Sequence, residues 1–446
     1  MSSIRSSAAW TIAASALAAG MAFIDTTALT VALPALREAL AADETQLLWI
    51  HNAYAVTLAA FLLLCGSLGD RFGIRRVFMT GITCFGLSSI ACGLAPTADS
   101  LIALRALQGL SAALMIPGSL AMIARSTPAA SLGKAVGLWS AFTLIATAIG
   151  PILGGALVQA GWWRGVFFIN VPLALVALWI TFVRSAADPK NEHSRTIDWI
   201  ASLLLVLGLA SLSYALIERS WVVALGTLAF GLFYLREKAA TKPMLPPEAL
   251  RSRKLQTAIL LSLLIHSSWA GFTYLLPTHL IEARDFSPAA AGLVQIPTLI
   301  MVVVFSPIAG KWLDRLGPRP VLATGAAICA LGFASLLWSG WASQALLIVI
   351  PLSFMGIGLG FCAAPLSATI IGSVSAEHHG LAAGINSTSA RIASGLGVAL
   401  LGSLAFEQGQ VNFATLALGA AILCALALPT TLRFASQRQT DRSPEP

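Results

Sequence analysis

Long apolar stretches separated by short polar segments repeat along the whole chain of 446 residues. A helix needs roughly 20 apolar residues to cross a bilayer, and fourteen stretches approach that length. They cover residues 9–33, 46–67, 77–95, 100–123, 135–158, 166–184, 197–216, 220–235, 256–279, 288–310, 320–338, 343–368, 380–403 and 411–432. The pattern predicts an all-α membrane protein with fourteen transmembrane helices, of which segment 220–235 is the shortest.

The composition agrees with a membrane protein and excludes several other classes. The chain is 57% hydrophobic and only 10% charged, with a mean hydropathy of +0.83, which leaves too little polar surface for a soluble globule. The net charge of +8 resides in short loops, so a nucleic-acid partner is not expected. The six cysteines lie inside apolar runs without metal-ligand spacing, and no phosphate-binding loop occurs, so no metal and no cofactor are predicted.

The distribution of basic residues predicts the orientation in the membrane. Cytoplasmic loops carry an excess of Lys and Arg, and an even number of spans places both termini on one side. With the termini inside, Arg105 and Arg391 lie within spans, and few of the 27 basic residues fall in outer loops, namely Arg37, Arg164, Arg219 and Arg284. We therefore expect a multi-pass protein of the bacterial cytoplasmic membrane with both termini in the cytoplasm.

A glycine- and arginine-rich turn occurs twice, each time after the second apolar segment of a set of six. The first copy runs Gly-Ser-Leu-Gly-Asp-Arg-Phe-Gly-Ile-Arg-Arg over 66–76, and a fainter copy covers 310–319. The repeat predicts two six-helix bundles, at 1–186 and 256–433, with two additional helices in a linker at 187–255. A cytoplasmic tail follows at 434–446.

The eleven-residue turn resembles the signature loop of the major facilitator superfamily of secondary transporters. That resemblance implies the superfamily's fold, with the substrate site between two bundles near the membrane midplane. The pseudo-repeat places the start of the thirteenth segment, near 380, across from Asp70, and a helix N-terminus favours a nearby carboxylate. We therefore expect Asp70 to latch onto that helix end, with pairing to Arg71 or Arg75 in its own loop as the alternative. The implied gating residues here are Gly66, Asp70, Arg71, Gly73, Arg75 and Asp314.

Asp25 and Arg105 are the leading candidates for proton coupling. Asp25 is the one acid deep in a predicted span, and such an acid costs about 2.5 to 3.5 kcal/mol to insert, so it normally faces a cavity or a partner. Burial disfavours the charged carboxylate, which suits a group that must load and release protons. We expect Arg105 to pair with Asp25 and to release it on protonation. Two alternatives remain, a structural hydrogen bond for Asp25 and a permanent structural post for Arg105.

Segment 5 carries Gly150, Pro151, Gly154 and Gly155, whose small side chains allow close helix contact and whose proline bends the axis. This stretch resembles the antiporter motif of exporters in the superfamily, although simple small-residue packing is an alternative. With the sequence around Asp25, the turn at 161–172, the stretch 383–391 and the two-helix insert, it makes the chain similar to the fourteen-helix drug:proton antiporter branch.

Several side chains could line a substrate cavity. The candidates for this cavity are Asn52, His266, Trp269, Phe272 and Gln295. Imidazole ordinarily titrates near neutral pH, and aromatic faces can hold a lipophilic cation. Core or lipid-facing positions are equally compatible with the sequence. Because Asn52 stands where some exporters of organic cations carry an acid, a strongly anionic pocket is not expected.

These features together predict a secondary active transporter and not an enzyme, since no nucleophile-base or metal-ligand cluster occurs. The expected function is proton-coupled efflux of amphipathic drugs or toxic organic compounds. Alternatives are export of one endogenous metabolite or lipid-like compound, or a sensor or assembly partner without transport. The expected partners are a small-molecule substrate and membrane lipid, with a monomeric state and an optional periplasmic adaptor.

Overall fold

A computed structural model gives the structure of the chain. It describes residues 2–127, 129–185, 188, 199–217, 221–239, 252–339, 346–371, 373, 379–407 and 410–432. The side chains of Asp70 and Asp314 lie outside this description, as does the predicted tail at 434–446.

The described residues are almost entirely helical, and a helix lies in each of the fourteen predicted segments. The helices are α1 (Ser2–Leu40), α2 (Glu44–Phe72), α3 (Ile74–Gly93), α4 (Ala98–Ser126), α5 (Ala129–Gln159), α6 (Gly165–Phe168), α7 (Asn170–Arg184), α8 (Trp199–Ile217), α9 (Val223–Ala239), α10 (Arg253–Arg284), α11 (Pro288–Leu293), α12 (Ile296–Leu316), α13 (Pro318–Ser339), α14 (Leu346–Ile371), α15 (His379–Ala405) and α16 (Phe413–Thr431). A short antiparallel pair, β1 (Phe406–Glu407) and β2 (Gln410–Val411), joins α15 to α16.

Ten helices in the described part of the chain are long and apolar enough to cross a membrane, and two shorter apolar helices accompany them. The protein is therefore a multi-pass membrane protein. Two predicted segments are interrupted, between α6 and α7 and between α11 and α12. Proline follows each interruption, at Pro172 and Pro297, and its missing N–H removes one helical hydrogen bond there.

The two copies of the glycine-rich turn have the same backbone design. A single glycine separates α2 from α3 and α12 from α13, and both residues have positive φ, +100° at Gly73 and +77° at Gly317. Each donates its N–H to the carbonyl four residues earlier, at Gly69 and Leu313. Because glycine has no Cβ, it reaches this conformation without the steric cost that other residues bear.

The contacts divide the chain into two compact units. Unit 1 comprises Met1–Phe233 and Leu280–Leu293, and unit 2 comprises Tyr234–His279 and Val294–Pro446. These limits differ from the predicted bundle boundaries in two places. Unit 1 includes α8, because α8 packs on α2 with the Trp49 and Tyr214 rings 6.0 Å apart. It also includes Leu280–Leu293, because α11 packs on α5.

The same helix pairs pack together in both units. In unit 1, α1 packs on α5, α2 and α3 each pack on α4, and α3 packs on α7. In unit 2, α12 and α13 each pack on α14, and α13 packs on α16. Ser267 of α10 donates a 2.8 Å hydrogen bond to the Ala393 carbonyl of α15, the pair that corresponds to α1 and α5. This repeated packing agrees with the duplication read from the sequence.

Candidate functional site

Asp25 lies in the interior of unit 1, with none of its surface exposed. Helix α1 carries it into a pocket of hydrogen-bond donors from α4 and α7. Arg105 Nη1 lies 2.5 Å from Oδ2, while Gln108 Nε2 and Asn170 Nδ2 donate to Oδ1 at 3.0 and 2.8 Å. Both carboxylate oxygens thus have hydrogen-bond donors from the protein, one of them the charged guanidinium of Arg105.

Arg105 is equally buried and is held on several sides. Its Nη1 also donates to Gln108 Oε1 at 2.6 Å, and its Nε donates to the Ile50 carbonyl at 3.2 Å. The guanidinium carbon lies 4.4 Å from the centre of the Tyr54 ring, within the range of a cation–π interaction. Because Gln108 follows Arg105 by three residues, both side chains project from the same face of α4.

Ser89 on α3 completes this network. Its hydroxyl oxygen accepts from Gln108 Nε2 and from Asn170 Nδ2, both at 2.9 Å. The polar cluster therefore ties together α1, α2, α3, α4 and α7 in a surrounding core of large apolar side chains such as Phe78 and Phe85. In the described part of the chain, no group of three His, Cys, Asp or Glu residues could hold a metal ion.

The charges of this site nearly cancel, and that balance defines its chemistry. A buried ion pair is tolerated because each charge compensates the other, while removal of one partner costs about 3–5 kcal/mol. Protonation of Asp25 would remove the negative charge and leave the Arg105 guanidinium uncompensated. The pair of charges, and not either charge alone, is therefore what the buried site accommodates.

The structure brings Asp25 and Arg105 together, as expected from Asp25 being the one deep acid. Sequence reasoning missed Gln108, Asn170 and Ser89 as members of the network. The available signals were the three-residue spacing of Gln108 from Arg105 and the position of Asn170, an amide inside an otherwise apolar segment.

The residues of the glycine-rich turn have separate roles. Arg75 donates from Nη2 to the Phe182 carbonyl at 2.7 Å and from Nε to the Thr181 carbonyl at 3.3 Å, and so caps the end of α7. Arg71 lies exposed at the end of α2, beside Phe72. A Cβ at Gly66 would meet only ordinary contact with Pro117. The proposed Asp70 latch and Asp314 fall on side chains outside the described residues.

Asp188, which follows α7, occupies the start of α3. Its two carboxylate oxygens accept from the backbone N–H groups of Arg75 and Arg76 at 3.0 and 3.1 Å, and Arg125 Nη1 lies 3.3 Å away. A Cβ at Gly73 would collide with this carboxylate. Glycine at 73 is therefore required both by its positive φ and by the space that Asp188 fills.

The glycines of α5 allow close contact with two other helical segments. A Cβ at Gly154 would lie 2.5 Å from the Ala28 carbonyl oxygen of α1, and one at Gly150 would collide with Thr27. On another face, Gly155 lies against Pro288 and Ala289 of α11. Gly292 of α11 is also in close contact with α5, because a Cβ at Gly292 would collide with the Pro151 carbonyl oxygen. The motif thus packs α5 against α1 and α11 within unit 1.

The predicted cavity residues are distributed over both units. Asn52 is fully buried in unit 1 and donates to the Leu48 carbonyl of its own helix at 3.1 Å. In unit 2, His266 Nδ1 lies 2.9 Å from the Ser262 carbonyl oxygen, and Trp269 and Gln295 are half-buried.

Phe272 has a different environment from the one expected of a cavity residue. It is fully buried, with its ring 5.1 Å from Phe333 and 6.0 Å from Phe413. It therefore packs in the core of unit 2, because three aromatic side chains from α10, α13 and α16 meet there.

Comparisons with known proteins place this geometry in a family. The model of the Major Facilitator Superfamily matches residues 15–398 and 258–445. The chain is 33% identical over 405 residues to the multidrug resistance protein Stp of Mycobacterium tuberculosis, covering 88% of this chain and 75% of that protein. It is also 33% identical over 409 residues to the tetracenomycin C resistance and export protein of Streptomyces glaucescens, with coverage of 88% and 75%. A third relative is the methyl viologen resistance protein SmvA of Salmonella typhimurium, 30% identical over 442 residues, with coverage of 92% and 87%.

Solved structures share the fold at low sequence identity. A POT family transporter in complex with 5-aminolevulinic acid aligns with a TM-score of 0.74 at 15% identity, covering 97% of this chain and 96% of that one. The xylose transporter XylE from E. coli aligns with a TM-score of 0.64 at 14% identity, covering 96% and 99%. From the matched family, these relatives and the repeated helix packing, the chain belongs to the Major Facilitator Superfamily and is a transporter, not an enzyme.

Proposed function

We propose that this transporter exports amphipathic organic compounds in exchange for protons, with Asp25 as the proton-carrying group and Arg105 as its counter-ion. The observation that carries the proposal is the fully buried Asp25–Arg105 pair, whose 2.5 Å contact is supported by amides from two helices. The relatives, named for resistance to several different compounds, support drug efflux as the process.

In the proposed cycle, a deprotonated Asp25 neutralises Arg105. Protonation of Asp25 converts the ion pair into an isolated buried cation, which costs this arrangement about 3–5 kcal/mol. For comparison, roughly 5.5 kcal/mol moves an equilibrium between two conformations from 1:99 to 99:1. One proton therefore suffices to disfavour this arrangement. The return step occurs when Asp25 loses its proton and Arg105 pairs with it again.

The membrane supplies the free energy for this cycle. Each charge that crosses is worth about 2.3 kcal/mol per 100 mV, and each pH unit adds about 1.36 kcal/mol. In this proposal the transporter works as a monomer in the bacterial cytoplasmic membrane, without a bound cofactor. The contacts of Gly154 with α1 and of Gly155 with α11 would be remade during each cycle.

We also propose that the chain crosses the membrane fourteen times, with both termini in the cytoplasm, as in the drug:proton antiporter branch. The ten long apolar helices and the two shorter ones account for twelve crossings. Helices α2 and α9 would supply the other two. Helix α2 has 29 residues and spans about 44 Å at 1.5 Å per residue, more than a bilayer core of about 30 Å. Helix α9 has 17 residues, about 26 Å, which is the lower limit for a crossing.

The decisive experiment compares proton-driven efflux with substrate counterflow in proteoliposomes carrying Asp25→Asn. Counterflow exchanges substrate across the membrane without net proton movement, so it requires only substrate binding and alternating access. We expect the variant to lose proton-driven efflux and to retain counterflow. Undiminished proton-driven efflux would refute the role of Asp25, and loss of both activities would indicate a structural role.

The substrate range is tested with the same preparation. A panel of chemically unrelated amphipathic compounds should contain several that drive counterflow. If a single compound does so, the protein exports one metabolite. If none does, a sensor or assembly role without transport replaces this proposal.

A further inference from the structure

A cleft of about 930 Å³ lies at the end of unit 1 that the charge pattern assigns to the outer side. It is separate from the Asp25 network, since its walls come from the last turns of α1, the loop between α5 and α6, and the end of α10 with the start of α11. Its volume falls in the range of small-molecule sites. The cleft therefore has the size for a drug-sized ligand.

The walls combine apolar surface with one carboxylate that has no ion-pair partner among the lining side chains. Pro34 and Ile281, both half-buried, contribute apolar area, while Arg37 and Glu282 form an ion pair of 3.6 Å across the cleft. Glu38 also lines the cleft and is exposed, and no described side chain forms an ion pair or hydrogen bond with it. Arg37 and Glu282 balance each other, so the side chains that line the cleft sum to a charge of −1, carried by Glu38. The Arg164 guanidinium lies behind the Trp163 wall and is directed to backbone carbonyls at the end of α3.

Trp163 provides an aromatic wall that is held in place. The guanidinium of Arg164 lies 4.3 Å from its ring centre, and Arg164 Nη1 donates to the Gly93 and Ala95 carbonyls at 3.0 and 3.1 Å. Because these two bonds anchor Arg164 to the end of α3, the indole is positioned before any ligand arrives. A preorganised aromatic wall lowers the ordering cost of binding.

We infer that this cleft is a second binding site, separate from Asp25, that accepts a lipophilic organic monocation from the outer side. The ligand's apolar body matches Pro34, Ile281 and Trp163, and its single positive charge matches Glu38. An organic anion of the same shape would meet the Glu38 carboxylate and bind poorly. The choice of ligand class rests on the proposed efflux of amphipathic compounds, whereas the existence of the cleft does not.

The test measures equilibrium binding of tritiated tetraphenylphosphonium to the full-length protein in nanodiscs of zwitterionic lipid, with empty nanodiscs as background. Glu38→Gln removes the charge at nearly constant shape. The Glu38 carboxylate and a bound phosphonium would form a partly exposed ion pair. Loss of that pair should weaken phosphonium binding to the Glu38-dependent class of sites by about threefold to tenfold. Trp163→Leu should weaken the same sites by about twofold to fivefold.

Matched controls make the result specific. Glu44→Gln alters another carboxylate at the same end of unit 1 but outside the cleft, and should leave binding unchanged. Tetraphenylborate has the same shape with the opposite charge and should fail to compete. Equal phosphonium affinity in the wild type and Glu38→Gln, or equal competition by the borate, would overturn the inference.

The outcome for this site is distinguishable from the outcome for transport. Asp25→Asn should retain the Glu38-dependent binding, because the two sites share no residue. If Asp25→Asn loses proton-driven efflux but phosphonium binding does not depend on Glu38, only the binding site in the cleft is refuted. If phosphonium binding depends on Glu38 but Asp25→Asn keeps proton-driven efflux, only the coupling role of Asp25 is refuted. If Glu38→Gln fails to fold, Trp163→Leu tests the same cleft independently, and unchanged phosphonium binding in that variant would overturn the inference.

Discussion

A double-mutant cycle on Asp25 and Arg105 measures the interaction free energy between these two side chains. The two charged atoms lie 2.5 Å apart, and neither side chain is exposed. Both charges are delocalised over several atoms, so their centres lie farther apart than this contact. With an effective dielectric constant of about 20, charges about 4 Å apart attract by about 4 kcal/mol, which agrees with the cost of about 3–5 kcal/mol for breaking a buried pair. Asp25→Asn and Arg105→Gln should each destabilise unit 1 by that amount.

The double variant should recover most of the lost stability, because it removes both charges and leaves no uncompensated ion. Thermal unfolding of the purified protein in detergent measures the effect, and losses of about 3–5 kcal/mol correspond to a fall in Tm of roughly 10 °C for each single variant. The double variant should unfold within a few degrees of the wild type and should still lack proton-driven efflux. If the double variant loses the sum of the two single effects, the pair is not energetically coupled, and the proposed response to protonation fails with it.

Three further predictions use other contacts. Gly154→Ala should cost about 1–3 kcal/mol, because a new Cβ would press on the α1 backbone. Gly310→Ala in α12 meets open space and should keep Tm or raise it slightly, because alanine favours a helix over glycine by up to about 1 kcal/mol; equal losses in both variants would contradict the packing role of α5. Asp188→Ala should destabilise the start of α3 by about 0.5–2 kcal/mol, seen as faster hydrogen exchange there, and unchanged exchange would remove its capping role. Single cysteines at Ser252 and Thr97 should react with an impermeant reagent from the cytoplasmic and outer sides respectively, and labelling of Ser252 from outside would contradict fourteen crossings.

Much of the fold was predictable because each helix is encoded by a local pattern. Apolar segments of about 20 residues specify helices without reference to their neighbours, and helices lie in all fourteen segments. The one-residue turns at Gly73 and Gly317 were also visible locally, as paired glycine motifs. The interruptions before Asn170 and Ile296 were not predicted, although Pro172 and Pro297 signalled them.

The candidate site was predictable only in part, because its contacts join distant parts of the chain. Asp25 and Arg105 could be paired by elimination, since one buried acid must meet a compensating group. Gln108 and Asn170 are neutral amides, and nothing in their sequence requires a particular partner. The contact between Asp188 and Arg75 spans 113 residues, and an apolar pattern cannot show that Phe272 faces other aromatic rings.

The network around Asp25 explains how one proton could influence a whole bundle. Ser89 and Asn170 do not contact Arg105 through any hydrogen bond described here, yet both connect to it through Gln108 and Asp25. A change of charge at Asp25 therefore alters the hydrogen bonding of α3, α4 and α7 at once. Because tightly packed interiors change between discrete arrangements and resist continuous deformation, these helices should respond together. Coupling in this protein would then be a property of the bundle, in which the amides transmit to several helices a charge change that occurs on one carboxylate.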